Sequence, residues 1–366
     1  MPCLSIKKGA DMEEDVEQFK ADYKQRSSRK VLFILLCSAF AFFGVALSVT
    51  IGGYDISMSR VYEVIWDHII GVQYPPNSRE WYDDFIVWNE RLPRVLFALV
   101  AGIGLATAGV AMQSIMKNPL AEPYTTGVSS GAYFGVAISM ALGMSVMASA
   151  GSAINALIFS LIPVAVMILL SSRSMNSVAT LILVGTAISY MFNAFSTLVL
   201  VTTDADTLAN VYRWQVGSFI NITWDQLTLA AAVVLTGAVV ITLLSKKLNI
   251  MSMGDENATS LGLNVKRLRV IILIVMAVMV AFIVSYCGII GFIGLICPHI
   301  IRLVIGSDNR FVIPAAAAFG AAFLLIADTV AKWMSALDTV PVGVAVSLIG
   351  APIFLMILVR NRREIW

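Results

Sequence analysis

Apolar and polar positions along this chain separate into whole segments instead of alternating residue by residue. Apolar runs cover 31–51, 92–115, 126–147, 152–170, 178–201, 226–244, 268–287, 288–305, 312–332 and 340–359. A membrane-crossing helix needs about 20 mostly apolar residues, so the pattern predicts an all-α polytopic membrane protein with ten crossings. The eighth run is the weakest, being short, glycine-rich and interrupted by Pro298. Nine spans plus a re-entrant piece is the competing count.

The cations arbitrate between the two counts. With ten spans and both termini in the cytoplasm, most of the 25 Lys and Arg fall on inner segments, leaving Arg60, Arg79, Arg91, Arg94, Arg213 and Lys332 outside. Cytoplasmic segments carry such an excess of basic residues. Removing the eighth span would move the basic end at 360–363 outside, so ten is the better reading.

Composition agrees. The chain is 58% hydrophobic and 13% charged, with mean hydropathy +0.84, against about 45–50% and about 25% for soluble domains. The net charge of +2 adds little, and a nucleic-acid partner is not expected. Residues 1–30 place Asp11, Glu13, Glu14, Asp15 and Glu17 before Lys20, Lys24, Arg26, Arg29 and Lys30. A secretory signal runs from a short basic region straight into its apolar core. This segment instead reads as a cytoplasmic extension, either a solvated tail or a short surface helix, leading into the 31–363 membrane domain.

Two connectors are long enough to have structure of their own. The outer one, 52–90, carries Trp66, Tyr74, Trp81, Tyr82 and Trp88, which suit an interfacial aromatic belt. In the inner one, at 249–268, Asp255 and Glu256 fall near the start of a short helix that Gly262 can end. With Met251, Met253 and Leu261 available, that helix could lie in a partner's groove. An ordinary membrane-surface connector is the plainer alternative.

Several chemistries find no support. The chain has no G-x-x-x-x-G-K-[ST] phosphate loop, so it cannot cradle ATP in the usual manner. Its two histidines, His68 and His299, lie far apart, and no H-E-x-x-H pattern or carboxylate cluster suggests a metal. Gly127-Val-Ser-Ser-Gly131 superficially matches a nucleophile elbow around Ser129, but that motif requires a strand-turn-helix setting. The cysteines Cys3, Cys37, Cys287 and Cys297 are scattered and read as small hydrophobes. An acid at membrane mid-depth costs about 2.5–3.5 kcal/mol on insertion scales. Asp328 lies not at mid-depth but near the outer end of the ninth span, one turn from Lys332, and the pair can satisfy itself near the interface. An ion-coupled secondary transporter working without an ATPase is therefore the weaker reading. The energy source of an active transporter would lie on another chain.

Five blocks in register carry a resemblance. They are Arg91-Leu-Pro-Arg94; Asn118-Pro-Leu-Ala-Glu-Pro123 with Gly127-Val-Ser-Ser-Gly131; Gly291-Phe-Ile-Gly-Leu-Ile-Cys-Pro-His-Ile-Ile-Arg302; Ala327-Asp-Thr-Val-Ala331; and Pro341-Val-Gly343 with Gly350-Ala-Pro352. Together they resemble the permease subunit of ABC importers for vitamin B12, ferric siderophores and haem, across 31–363. The resemblance implies a type II importer permease of ten helices in the cytoplasmic membrane, paired with a second permease subunit, most simply as a homodimer. Two ATPase subunits would bind inside and an extracytoplasmic substrate-binding protein outside. ATP and Mg would belong to the ATPase, with no cofactor on this chain.

The same resemblance implies roles for particular residues. Arg91, Arg94 and Lys332 look like docking cations for the binding protein, with interfacial snorkelling as the alternative for the two arginines. Gly254, Asp255, Leu261 and Gly262 fall in the region that couples to the ATPase. Asn118, Leu120 and Ser177 match places where the path narrows at its cytoplasmic end, although the break at Pro119 and Pro123 could simply be a helix corner. Gly102, Gly104, Ala106, Ala108 and Gly109 form a small-residue face that suits close helix packing. The cargo itself is not legible.

Overall fold

The computed structural model describes residues 9–146, 151–174, 178–334 and 340–360. Every regular element among them is helical. The long helices are α1 (Gly9–Thr50), α4 (Leu92–Met116), α6 (Gly151–Ser174), α7 (Val178–Val201), α9 (Trp224–Leu243), α12 (Val265–Cys287) and α14 (Asn309–Met334). All seven contain a window long and apolar enough to cross a membrane. Three shorter apolar helices, α5 (Val128–Leu142), α13 (Ile293–Ile305) and α15 (Val342–Arg360), match the remaining predicted runs. The ten apolar runs thus correspond one to one with ten helices. Connectors add α2 (Met58–Ile70), α3 (Arg79–Phe85), α8 (Ala205–Gln215), α10 (Ser245–Ser252) and α11 (Asp255–Ser260).

The eighth run differs from expectation in shape. Helix α13 has 13 residues, about 20 Å at 1.5 Å per residue, and cannot alone cross a hydrocarbon core of about 30 Å. Residues 288–292 precede it as irregular backbone, with φ of 76° at Gly288 and 68° at Phe292. Irregular backbone at membrane depth needs protein or water around it, and here protein supplies the partners. Ser218 N–H donates to the Cys287 carbonyl at 2.7 Å, just before the bend, and Tyr124 O–H to the Ile290 carbonyl at 3.1 Å.

The N-terminal region also departs from expectation. Residues 9–30 are neither a tail nor a separate surface helix; they continue α1 without a break, giving 42 helical residues. The cause is legible, since no Gly or Pro interrupts 10–43.

Helix α4 is the centre of the bundle, nearly all of it buried, and packs most extensively on α14. The small-residue face sets that packing. A Cβ added at Gly102 would run into the Gly320 carbonyl of α14, and one at Gly109 into the Gly294 carbonyl of α13, both well inside the 3.0 Å that real Cβ atoms respect. Such backbone-to-backbone approach is what small residues permit in a membrane. Of the cysteines, Cys287 and Cys297 are buried and Cys37 half-buried; Cys3 lies outside the described residues. In the 52–90 connector, Trp66, Trp81 and Tyr82 are exposed as an interfacial belt requires. Trp88 instead turns inward, stacking on His68 at 3.9 Å and accepting the Trp224 indole N–H at its carbonyl (2.9 Å).

Candidate functional site

Chemistry-bearing residues gather at the two rims of the bundle. At the rim opposite the N-terminus, a π-helical turn, Ile86–Arg91, feeds directly into α4. Pro93 follows at once in α4 and supplies no N–H to the preceding π-helical turn. This entry turns Arg91 back over the end of α1. Its guanidinium donates to the carbonyls of Val49 (3.1 Å) and Thr50 (3.2 Å) and also to that of Tyr54. Carbonyls in a last helical turn lack intrahelical donors, and a cation there also suits the dipole.

One turn later, Arg94 places Nε 3.0 Å from Oδ1 of Asp328 on α14. Lys332 sits a turn beyond Asp328, with Nζ 3.5 Å from Oδ2 and 2.8 Å from the Ser48 carbonyl of α1. The i,i+4 pair expected from the sequence therefore exists, but Asp328 is shared with Arg94. Arg91, Arg94 and Lys332 do come together, and all three are buried, at 6%, 8% and 5% exposure. They line an open depression of about 620 Å³ together with Glu90, Tyr54 and Asn221. Ser48, and the Arg94 side of Asp328's pairing, are the partners of Lys332 and Arg94 that sequence reasoning missed. The carboxylate's second partner lies 234 residues away and left no local signal.

At the N-terminal rim, α10 and α11 form the connector. Helix α10 is anchored through buried Leu248 and Met251 and through Asn249, whose amide donates to Asp308 at 2.7 Å. Gly254 precedes α11 with φ of 113°, a conformation open mainly to glycine. Gly262, at φ 82°, closes α11: its N–H reaches the Thr259 carbonyl while Leu263 N–H reaches that of Ala258, the paired bonds of a Schellman turn. The predicted start and stop of the short helix are both present. Met251 is buried and unavailable to a partner, whereas Met253 and Leu261 are 62% and 64% exposed.

Asp255 faces inward. Lys117 Nζ lies 2.7 Å from its Oδ1, and Arg269 Nη2 lies 2.9 Å from its Oδ2. Burial alone would raise this carboxyl, but hydrogen bonds and charge from Lys117 and Arg269 outweigh it and hold the group below the ordinary carboxylate range.

Beside this connector α4 ends at Lys117, whose φ of 49° is left-handed. Asn118 Oδ1 then accepts the Leu120 N–H at 2.9 Å, turning the chain toward the 3₁₀ turn Pro123–Thr126 and α5. Leu120 is exposed and Asn118 half-buried. The third candidate of that group, Ser177, lies outside the described residues.

One further feature went unread in the sequence. Thr186, Tyr190, Asn193 and Thr197 follow one another at spacings of four, three and four along α7, and all are exposed. The spacing puts neutral polar groups on one face of a membrane-length helix.

A membrane bundle of ten apolar helices with polar structure at both rims fits the permease class of transport proteins. The chain belongs to the FecCD transport family, whose sequence profile matches residues 40–360. It is similar to the hemin transport permease HmuU of Yersinia pestis, 36% identical over 79% of this chain and 86% of that one. It is also similar to the vitamin B12 import permease BtuC of Klebsiella pneumoniae (34%; 80% and 88%) and to the molybdate import permease MolB of Haemophilus influenzae (30%; 87% and 92%). Among solved structures it matches an inward-facing metal-chelate type ABC transporter with a TM-score of 0.78, at 29% identity over 89% of this chain and 98% of that one. The protein is thus a multi-pass permease of an ABC importer, a class that works with separate ATPase and substrate-binding partners.

Proposed function

We propose that this permease sits in the cytoplasmic membrane with both termini and the α10–α11 connector inside, pairs with a second permease subunit, and carries a bulky chelate inward. The candidate cargoes are a ferric siderophore, haem or a cobalamin-type corrinoid. The observation that carries this reading is the exposed face of α7. Tyr190 and Asn193 offer hydroxyl and amide groups there, flanked by Thr186 and Thr197, whose hydroxyls donate to carbonyls of their own helix, among the exposed apolar residues of α7. Facing its counterpart in a second subunit, this stripe would line a path suited to a large cargo whose metal is already wrapped.

The two rims fit the partners. The recessed cations Arg91, Arg94 and Lys332 suit acidic side chains of a binding protein that reach into the depression between them, steering association and fixing its register. Met253 and Leu261 at either end of α11, with Gly254 and Gly262 shaping the backbone, suit insertion into an ATPase cleft. Asn118 and Leu120 would narrow the path at its inner end, with Ser177 in the same role.

Asp328 is the buried acid that an ion-coupled carrier would need, and it is already neutralised by Arg94 and Lys332. Reconstitution decides between the two. Vesicles containing permease, ATPase and binding protein should accumulate radiolabelled ferric siderophore, haem or cyanocobalamin only with ATP. Accumulation by the permease alone under a proton or sodium gradient would overturn the importer reading.

A further inference from the structure

The candidate gate turn and the ATPase-facing connector are distant in sequence, yet a single carboxylate joins them. Asp255 opens α11, and its two oxygens are taken by cations from two different membrane helices. Lys117 is the last residue before the Asn118–Leu120 turn, and Arg269 lies in the second turn of α12. The three groups differ in exposure. The Arg269 side chain is 4% exposed, while those of Asp255 and Lys117 are 26% and 29% exposed. Arg269 gives Nη2 to both Asp255 oxygens, at 3.1 and 2.9 Å, and among the described residues its buried Nε has no hydrogen-bond acceptor. Asp255 is thus the carboxylate that answers a buried guanidinium, with Lys117 as the second, more exposed arm.

The surrounding backbone gives this contact mechanical consequence. Helix α11 is short, closed at one end by the Schellman turn and opened at the other by Gly254, so it moves as one piece. Lys117 has left the helical geometry of α4 and is covalently next to Asn118, whose side chain shapes the turn by accepting from Leu120. A displacement of α11 therefore pulls through Asp255 on the residue where α4 gives way to that turn. A push delivered only through the covalent chain would have to travel along all of α12.

We propose that Asp255 is a positioning residue that links α11 to the end of α4 through Lys117 and to α12 through Arg269, so that movement imposed on the connector is delivered to the Asn118–Leu120 turn. This presupposes the coupling role given to the connector above, but it assigns Asp255 to an intramolecular link and leaves partner contact to Met253 and Leu261.

Lys117 variants carry the test, because Asp255→Asn also strips the counter-charge from buried Arg269. The full permease is purified with its ATPase, reconstituted with binding protein, and scored for ATPase co-purification, ATP hydrolysed and cobalamin or ferric siderophore moved. Lys117→Met should retain the ATPase and hydrolyse ATP, while cargo moved per ATP falls at least about fivefold, the low end of measured coupling between sites. Lys117→Arg, which keeps the charge, should restore that ratio, and Asp255→Asn should lower it as Lys117→Met does. An unchanged ratio in Lys117→Met would overturn the link. So would loss of the ATPase from Lys117→Met, which would make this cluster a contact surface. If the unmodified chain fails to retain any ATPase, the importer reading itself falls and the link with it.

Discussion

Arg94 and Asp328 meet at 3.0 Å across 234 residues of sequence, tying the first turn of α4 to the last third of α14. Asp328 is fully buried, and its other oxygen faces Lys332 at 3.5 Å. The pair therefore organises the very cations that the family resemblance assigns to docking. A buried carboxylate between two buried cations is costly to assemble and more costly to break, because removing one charge leaves the others uncompensated.

Asp328→Ala should accordingly destabilise the protein by about 3–5 kcal/mol, read as a fall in melting temperature in detergent. Arg94→Glu should do at least as much damage, since it sets a second acid against Asp328. Charge reversal at Arg94 therefore cannot probe docking without also disturbing the fold. A double-mutant cycle on Arg94 and Asp328 checks the coupling directly, and additive effects would contradict it.

The glycine seams give a second expectation. At Gly109 the neighbouring atom is a backbone carbonyl of Gly294, and at Gly102 it is the carbonyl of Gly320. Neither can rotate away as a side chain would. Gly109→Ala should therefore force α4 from α13 and cost about 1–3 kcal/mol or more. Gly262→Ala has open space around it and should suffer only from its φ of 82°. Thermal unfolding of the two variants side by side separates steric from conformational cost.

Much of this architecture was legible because membrane helices announce themselves locally. Apolar run length located all ten helices, and the pattern Asp255, Glu256, Gly262 located α11 within two residues of its ends. What the sequence withheld depends on contacts between distant segments. Nothing local shows that α13 starts only at Ile293, since the preceding bend is held by Trp214–Ser218 and Tyr124 from elsewhere in the chain. Nothing local shows that Asp328 serves Arg94 as well as Lys332, or that Asp255 turns inward to Lys117. The α7 stripe was readable in principle, because its spacing is helical, but polar residues in a span gain meaning only once burial is known.

Asp308 gives the pH expectation. Its carboxylate takes Arg310 Nη2 at 2.6 Å and the Asn249 amide at 2.7 Å. The hydrogen bonds from Arg310 dominate and lower its pKa to about 2, against about 3.9 for an ordinary aspartate. A depressed carboxylate contributes stability that is present in full above the unfolded value and is lost as pH falls through the folded one. The melting-temperature gap between the unmodified protein and Asp308→Asn should stay constant from pH 5 to 7 and shrink toward pH 3. A gap that grew on acidification would contradict the sign.

Leu261 and Met253 flank α11 with their side chains exposed, while the helix between them is fixed by Gly262, by Gly254 and by Asp255. Two large apolar groups on a rigid, solvent-facing element are what a partner's cleft can bury, and interface anchors of this kind are worth about 2 kcal/mol or more when lost. Neither residue supports the bundle, so replacement should cost the fold little. Leu261→Asp and Met253→Asp should therefore leave the melting temperature of the isolated permease nearly unchanged and strip the ATPase during co-purification. Met251→Asp should behave in the opposite way. Met251 is a buried residue of α10, so that variant should lower the melting temperature before any partner is involved. If Leu261→Asp and Met253→Asp both retain the ATPase at unmodified levels, the exposed ends of α11 are not the surface it grips.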